Sequence, residues 1–267
     1  MPDPDPPYDA DPTRRFTDRV DAYVKHRPGY PPELLDALRR EANLGPGCRV
    51  ADIGSGTGIF ASLLLDAGCA VFAVEPNDAM RSAAEQALSH RPGFHSVAGS
   101  AEATTLSDAS VDLVTAAQAF HWFDPQPARA EFDRILRPAG LVALIWNLRP
   151  PGGSDFNRAY ETMLDTFGTD YDQVRARYPD HGPIAAFFAP QSYRQHHFPS
   201  VQVLDFEGLK GRLLSTSYAP AAGHPDHAPM LAELRRIFDA YAVEGRIRME
   251  YDTRLYFGTL REGRAAR

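Results

Sequence analysis

The sequence predicts an α/β fold in which helices cover both faces of a seven-stranded, mostly parallel sheet. Short apolar segments typical of buried strands alternate with helical segments across residues 49–146. Such alternation is typical of right-handed βαβ units, whose strands lie parallel and are buried on both faces. A glycine-rich turn at residues 54–58 joins the first strand to the next helix, and this turn supports the same fold class.

The elements of the sheet follow in order from local patterns. Ahead of the sheet, a helix over residues 33–42 carries Leu34, Leu38 and Ala42 on one face, at the spacing that an amphipathic helix requires. Further patterns predict strands at residues 49–53, 70–74, 94–98, 111–117 and 141–146, helices at residues 59–67, 77–89 and 127–136, and a turn at residues 137–140.

A proline- and glycine-rich segment at residues 150–153 breaks this alternation, as such segments usually do. The next segment, residues 154–167, carries Phe156, Tyr160 and Met163 at helical spacing, which predicts an amphipathic helix. Beyond it we expect a loop-rich, aromatic stretch to about residue 199, strands at residues 201–204 and 251–257, and a helix at about residues 230–242.

Composition and charge narrow the class of partner. The chain has 267 residues, 43% of them hydrophobic, and a net charge of -7, so we expect neither a nucleic-acid nor a membrane partner. Its two cysteines, Cys48 and Cys69, form no disulfide framework and no metal-ligand pattern, and we interpret them as reduced core thiols. The N-terminus lacks the pattern of an export signal, which favours a cytoplasmic protein. Because the cysteines and histidines lack metal-ligand spacing, we expect no metal.

The glycine-rich turn has an acidic partner. Glycines let the backbone turn tightly and approach a ligand closely, and the helix that follows offers free N–H groups. Ile59 occupies the third glycine position of the dinucleotide pattern, which disfavours NAD. Glu75 ends the second strand, 17 residues after Gly58, where a carboxylate can accept hydrogen bonds from ribose hydroxyls. The alternative is a fold-stabilising turn beside a solvated glutamate.

Four motifs in this order resemble the class I S-adenosylmethionine-dependent methyltransferases of the small-molecule, type 11-like kind. The motifs are Ala-Asp-Ile-Gly-Ser-Gly-Thr-Gly at residues 51–58, Val-Glu-Pro-Asn-Asp-Ala-Met at residues 74–80, Gly-Ser-Ala-Glu at residues 99–102 and Leu-Arg-Pro-Ala-Gly at residues 136–140. Two further segments, around Arg27 to Pro31 and Ala119 to Phe123, are more loosely similar to the trans-aconitate methyltransferase branch. Ala139 departs from the usual Arg-Pro-Gly-Gly turn.

The resemblance implies S-adenosylmethionine as cofactor, S-adenosylhomocysteine as product, and a Rossmann-like fold. It implies cofactor contacts for Tyr23, Arg27, Asp52, Gly54, Ser55, Gly56, Gly58, Glu75, Pro76, Met80, Ser100, Ala101, Glu102, Gln118, Ala119 and Phe120. It implies acceptor contacts for Tyr30, His121, Trp122, Trp146, Asn147 and Tyr160. Arg27 would meet a carboxylate of the methionine moiety or of the acceptor; the alternative is a solvated surface arginine.

The expected organisation is a single methyltransferase domain over residues 13–267, preceded by a disordered tail at residues 1–12, since a segment of repeated Asp-Pro cannot build a core. The parts of the domain are N-terminal cap helices (13–48), a cofactor-binding core (49–148), a helical substrate-side insertion (149–200) and the final strands and helix (201–267). Asp5-Pro6-Pro7-Tyr8 in the tail resembles a motif of nucleic-acid amino-methyltransferases, but it precedes the whole fold, and we interpret it as coincidence.

The expected reaction is methyl transfer to an oxygen, carboxylate or hydroxyl, of a small molecule. His121 follows the fourth strand at the carboxyl edge, where α/β sheets bind ligands. It is either the base that deprotonates a hydroxyl or a wall of the pocket, and a carboxylate acceptor needs no base. The alternatives are a nucleotide-cofactor oxidoreductase and a non-catalytic cofactor-binding module of the same fold.

Overall fold

The computed structural model describes residues 25–176, 178 and 181–261. Within them, seven strands form one sheet in the order β3-β2-β1-β4-β5-β7-β6. The elements are α1 (Pro32–Ala42), β1 (Arg49–Ile53), α2 (Ile59–Asp66), β2 (Ala70–Val74), α3 (Asp78–Leu88), β3 (Phe94–Val97), β4 (Val111–Ala117), a 3-10 turn (Phe120–Trp122), α4 (Pro125–Ile135), β5 (Leu136–Leu148), α5 (Asp155–Phe167), α6 (Tyr171–Ala176), α7 (His181–Phe188), β6 (Tyr193–Leu204), α8 (Phe206–Leu214), α9 (His227–Tyr241) and β7 (Ile247–Gly258).

The first five strands run parallel, and only β7 runs against its neighbours β5 and β6. The order steps from β1 to β2 and β3 on one side and from β1 to β4 on the other. The strand order therefore reverses beside β1, and α/β sheets bind ligands in the crevice at such a switch point. The predicted fold class, a mostly parallel seven-stranded sheet between helices, is confirmed.

The two faces of the sheet carry separate apolar clusters, because successive side chains of a strand point to opposite faces. On β1, Val50 packs with Leu38 of α1 and Leu64 of α2. Its neighbour Ala51 packs on the other face with Phe132 of α4 and Phe187 of α7. Helices thus bury both faces of the central strands, which explains why the sequences of these strands are almost continuously apolar.

A third cluster lies beyond the antiparallel part of the sheet, where α5, α8 and α9 pack together with β7. Tyr160, Leu213, Leu234 and Met249 are fully buried there. The sequence did not predict α8, and it placed α6, α7 and the start of β6 in a loop. On β6, exposed and half-buried residues largely alternate, so the part of the strand up to Pro199 lacked the apolar run on which the prediction depended.

The turn expected at residues 137–140 lies inside β5 instead. Val111 and Leu113 of β4 pair with Leu136 and Leu141 of β5. Between these pairs one residue of β4, Asp112, therefore faces four of β5, and the additional residues bulge out of the ladder. Pro138 and Gly140, which predicted a turn, lie in this bulge.

Residues 1–12 and the helical segment expected from residue 13 lie outside the described residues, so the tail and the single domain stay predictions. Among the described helices, none is both long and apolar enough to cross a membrane. Cys48 and Cys69, the two cysteines, are buried and free.

Candidate functional site

The glycine loop begins where β1 ends at the switch point of the sheet. Gly54 has a φ of +67°, and a Cβ atom on it would lie 2.6 Å from Cβ of Ala119. Gly58 has a φ of +85°, and its Cβ would lie 2.6 Å from Cδ1 of Leu88 in α3. Only glycine tolerates both the left-handed conformation and the close approach, so the loop is fixed between α3 and the segment after β4.

Glu75 anchors this loop. Its Oε2 accepts a hydrogen bond of 2.8 Å from the amide of Gly56, and its Oε1 accepts one of 2.9 Å from the amide of Asn77. Burial of the side chain raises the pKa of Glu75, although both amides and Arg81 lower it. Asn77 in turn caps α3 by accepting a hydrogen bond of 2.9 Å from the amide of Met80. One carboxylate therefore fixes both the turn and the start of the next helix.

Asp52, on β1, is only 1% exposed. Its Oδ1 accepts a hydrogen bond of 2.7 Å from the hydroxyl of Thr115, whereas its Oδ2 is buried without a hydrogen-bond partner among the described residues. Burial raises the pKa of Asp52 to about 7, against the hydrogen bond from Thr115. A buried carboxylate with a free oxygen on a cavity wall is suited to bind a cation or a hydrogen-bond donor.

A cavity in two adjoining parts surrounds the glycine loop, and we call it the loop cavity. The parts share Gly54, Ala117 and Gln118. Of the residues predicted to contact the cofactor, those that line the first part are Gly54, Gly56, Glu75, Pro76, Met80, Ser100, Ala101, Glu102, Gln118 and Ala119. Those that line the second part are Arg27, Asp52, Gly54, Ser55 and Gln118. Three of the four sequence motifs, those at residues 51–58, 74–80 and 99–102, thus meet around one cavity, to which Asn77 and Phe123 also contribute.

A second cavity, of about 530 Å³, opens beside the loop cavity. Arg27, Gln118 and Asn147 line both. Arg149 and Arg212 also line this second cavity, which we call the arginine cavity. Its volume lies within the range usual for small-molecule sites.

Gln118 stands where the two cavities meet. It has a φ of +61°, which is uncommon for a residue other than glycine and often marks a functional position. Its amide Nε2 donates a hydrogen bond of 3.0 Å to the carbonyl of Asn147. Asn147 is itself fixed, because its Oδ1 accepts a hydrogen bond of 2.6 Å from the hydroxyl of Thr253. The junction between the cavities is therefore built from the ends of β4 and β5.

The wall of the arginine cavity is formed largely by residues that the sequence did not predict. Arg149 follows β5 and forms an ion pair with Glu161 of α5, and its Nη2 donates a hydrogen bond of 2.9 Å to the hydroxyl of Tyr171. Arg212, on α8, is 4% exposed. One signal was available: Arg212 lies between Leu209 and Leu213 on an apolar helix face, where an arginine is unusual.

Several predicted site residues lie elsewhere, and these predictions are corrected. Phe120 and Trp146 are buried in the core, where their rings pack edge to face with centroids 6.0 Å apart. Gly58 packs against α3, as described above. Trp122 lines the loop cavity, and its contact with the acceptor stays a prediction. Tyr160 is fully buried behind Arg149, whose guanidinium lies 5.4 Å from the ring centroid.

The other predicted acceptor contacts lie closer to the cavities. Tyr30 lines the loop cavity and packs edge to face on Phe60, with centroids 5.0 Å apart. His121 lines neither cavity, but its ring lies 5.5 Å from that of Tyr178, which lines the arginine cavity. Tyr23 lies outside the described residues. Across the part of the chain that is described, no group of three or more histidine, cysteine or acidic residues is arranged to hold a metal.

Comparison with known proteins agrees with this geometry. A family model described as a methyltransferase domain matches residues 51–144. An uncharacterized methyltransferase of Mycobacterium tuberculosis is 42% identical over 163 residues, which are 61% of this chain and 62% of that protein. A malonyl-[acyl-carrier protein] O-methyltransferase of Methylococcus capsulatus is 38% identical over 119 residues, 41% of this chain and 40% of that protein. These matches span less than two thirds of the length of either relative.

Solved structures extend the fold match over most of the chain. A proposed type II methyltransferase from Anaeromyxobacter dehalogenans is similar with a TM-score of 0.59 and 25% identity, covering 88% of this chain and 98% of that one. A phosphoethanolamine N-methyltransferase of Haemonchus contortus, solved with S-adenosylhomocysteine, shares the fold with a TM-score of 0.56 and 15% identity, covering 90% of this chain and 56% of that one. The motifs, the strand order and these matches agree: residues 51–144 match a methyltransferase domain, and the fold is similar to that of solved methyltransferases.

Proposed function

We propose that this chain transfers a methyl group from S-adenosylmethionine to an oxygen, carboxylate or hydroxyl, of a small molecule in the cytoplasm. The observation that carries the proposal is the pair of cavities joined at Gln118. One cavity has the residues of a cofactor cradle, and the other offers room for an acceptor. The net charge of -7 supports a small molecule over a nucleic acid.

The residues of the loop cavity fit the cofactor. Glu75 would accept hydrogen bonds from the ribose hydroxyls, and Met80 would pack on the adenine. The free Oδ2 of Asp52 would receive the cationic amino group of the methionine moiety. When bound, the cofactor supplies an activated methyl group on a sulfonium, so the protein has chiefly to align the acceptor oxygen and exclude water.

An oxygen acceptor is supported by one relative in particular. The protein from Methylococcus capsulatus is named as an O-methyltransferase. The Haemonchus contortus protein is named as an N-methyltransferase, but at 15% identity its likeness concerns the fold alone. The acceptor cavity also carries several arginines, which are suited to hold carboxylates.

The test of the proposal is a thermal-shift series followed by a turnover assay. S-adenosylmethionine and S-adenosylhomocysteine should raise the melting temperature, and NAD should not. Release of S-adenosylhomocysteine is then measured with panels of carboxylic acids and of alcohols. A shift with NAD alone would favour the oxidoreductase, whereas tight S-adenosylhomocysteine binding without turnover on either panel would favour a binding module.

Replacing His121 with glutamine should leave kcat within about threefold of wild type on a carboxylate acceptor. Such an acceptor is already ionised at neutral pH and requires no base, and His121 does not line the arginine cavity. The wild-type profile of kcat against pH should be flat above the pKa of the acceptor. A fall of about 10²-fold or more in the variant, together with a rate that rises through about pH 6.5, would instead identify His121 as a base for a hydroxyl acceptor.

Affinity for S-adenosylhomocysteine should rise between pH 5.5 and 7 and then level off. Burial raises the pKa of Asp52 to about 7, so below that pH the carboxyl is protonated in the free protein. Binding of the cationic amino group favours the ionised form, and a proton must therefore leave, at a cost of up to about tenfold in affinity per pH unit. Calorimetry in two buffers of different ionisation enthalpy measures that proton. Asp52→Asn should bind more weakly and lose this slope; an unchanged slope would contradict the assignment.

A further inference from the structure

The arginine cavity carries a positive charge that methyl transfer by itself does not require. Its lining includes six arginines and one carboxylate, that of Glu161, in a chain whose net charge is -7. The arginines are Arg27, Arg149, Arg158, Arg175, Arg212 and Arg254. The sign of the charge in the cavity is thus opposite to that of the whole chain.

Most of these guanidinium groups have a carboxylate nearby. The ion pairs are Arg149 with Glu161, Arg158 with Asp155, Arg175 with Asp165 at 3.0 Å, and Arg254 with Asp252 at 2.8 Å. Arg158 and Arg175 are about half exposed, where water screens their charge. The pairs of Arg158, Arg175 and Arg254 account for these three outer arginines without any ligand.

Arg212 differs from them. It is 4% exposed, and its Nε donates a hydrogen bond of 3.1 Å to the hydroxyl of Tyr251. Among the residues that the structure describes, its buried Nη1 has no hydrogen-bond partner, and no carboxylate forms an ion pair with Arg212. A buried guanidinium with a free donor is strongly unfavourable unless an anion compensates it.

The neighbours of Arg212 show the same excess of positive charge. Arg149 is close enough to repel it. Burial raises the pKa of Tyr218, but Arg149, Arg212 and Arg27 together lower the pKa of this phenol below its usual value. Tyr218 also lines the cavity. The part of the cavity formed by Arg149, Arg212 and Tyr218, which we call its inner end, therefore favours negative charge.

We propose that this inner end binds an oxyanion group of the acceptor, with Arg212 and Arg149 as its ligands. The group is a carboxylate or a phosphate, and it is not the oxygen that receives the methyl, because methyl transfer belongs at the Gln118 junction. The acceptor is then an anion with an acidic group remote from its methylated oxygen. This inference rests on the proposed function, since it assigns the second cavity to the acceptor.

The first measurement is calorimetric binding of three probes to the full chain, with and without saturating S-adenosylhomocysteine. The probes are succinate, inorganic phosphate and the neutral dimethyl succinate. Succinate or phosphate should bind, and dimethyl succinate should not. Stronger binding of succinate identifies a carboxylate and stronger binding of phosphate identifies a phosphate, whereas binding of neither anion overturns the proposal.

The second measurement uses Arg212→Met, with Arg236→Met as the matched control. Arg236 is exposed on α9 and pairs with Glu233 at 2.6 Å. Arg212→Met should weaken binding of the anion about 10- to 150-fold, the effect of removing a charge-assisted hydrogen bond, and Arg236→Met should not. Affinity for S-adenosylhomocysteine should be unchanged in both variants, so that failure of cofactor binding is seen separately from failure of the anion site.

Stability distinguishes an anion site from a structural arginine. Without an anion, Arg212→Met should melt at or above the wild-type temperature, because the variant no longer buries an uncompensated charge. Succinate or phosphate should then raise the melting temperature of the wild type but not that of the variant. A variant that melts several degrees lower and still binds the anion as well as the wild type would overturn the proposal.

Discussion

Gly56→Val should reduce affinity for S-adenosylhomocysteine at least about 100-fold, or by about 2.8 kcal/mol, in a protein that still folds. Gly56 has a φ of +57°, a conformation that a β-branched residue adopts only under strain. A Cβ atom there would lie 3.7 Å from Cε of Met80, which is ordinary contact. The two methyl groups beyond it would extend into the space around Met80, which lines the loop cavity.

A graded series separates strain from filling of the cavity. In Gly56→Ala a residue with a Cβ must adopt the left-handed conformation, which costs about 1–2 kcal/mol. This variant adds no atoms beyond the Cβ. Gly45→Val is the matched control, because a Cβ at Gly45 meets no atom within 4 Å and its φ is not positive. Calorimetry and thermal melts on the three variants give affinity and stability together. Wild-type affinity in a folded Gly56→Val would show that the ligand does not lie against this loop.

The glycine loop was predictable from sequence because its determinants are local. The positive φ values of Gly54, Gly56 and Gly58 and the position of Glu75 at the end of β2 are fixed by a turn and by one strand register. A βαβ unit brings the ends of its two parallel strands together in only one way. The order of residues along the chain therefore determined how they meet in space.

The arginine cavity could not be predicted in the same way. Arg149 follows β5, and Arg212 lies on α8, so their meeting depends on how the helices beyond β5 pack. The sequence pattern does not predict α8, because this helix contains Gly208 and Gly211, and glycine has a low helix propensity. Its cap, Asp205, accepts a hydrogen bond of 2.8 Å from the amide of Gly208 and was the local signal available.

The different positions of Trp146 and Asn147 have a geometric cause. Neighbouring residues of a strand direct their side chains to opposite faces, so at most one of them was expected to face the site. The structure assigns Asn147 to both cavities and Trp146 to the core, where it is fully buried. Periodicity alone identified the strand but not which of its faces carries the site.

Glu75→Ala should weaken S-adenosylhomocysteine binding by about 1.5–3 kcal/mol, the range for a hydrogen bond to a charged group. The matched control is Glu85→Ala, since Glu85 lies on the exposed side of α3 and accepts a hydrogen bond of 2.6 Å from Ser96. This control should leave the affinity unchanged. Isothermal titration calorimetry of both variants provides the comparison, and equal affinity in wild type and Glu75→Ala would refute the role of this carboxylate.

A loss of affinity in Glu75→Ala has two sources, because the carboxylate also holds the amides of Gly56 and Asn77. A ligand that lacks the ribose 2′-hydroxyl separates them. If Glu75 holds the ribose, removing this hydroxyl should weaken binding to the wild type by about tenfold or more, but should have little further effect on Glu75→Ala, because the two changes remove the same interaction. If Glu75 only anchors the loop, the two effects should add. Non-additivity in this cycle is therefore the result expected for a ribose contact.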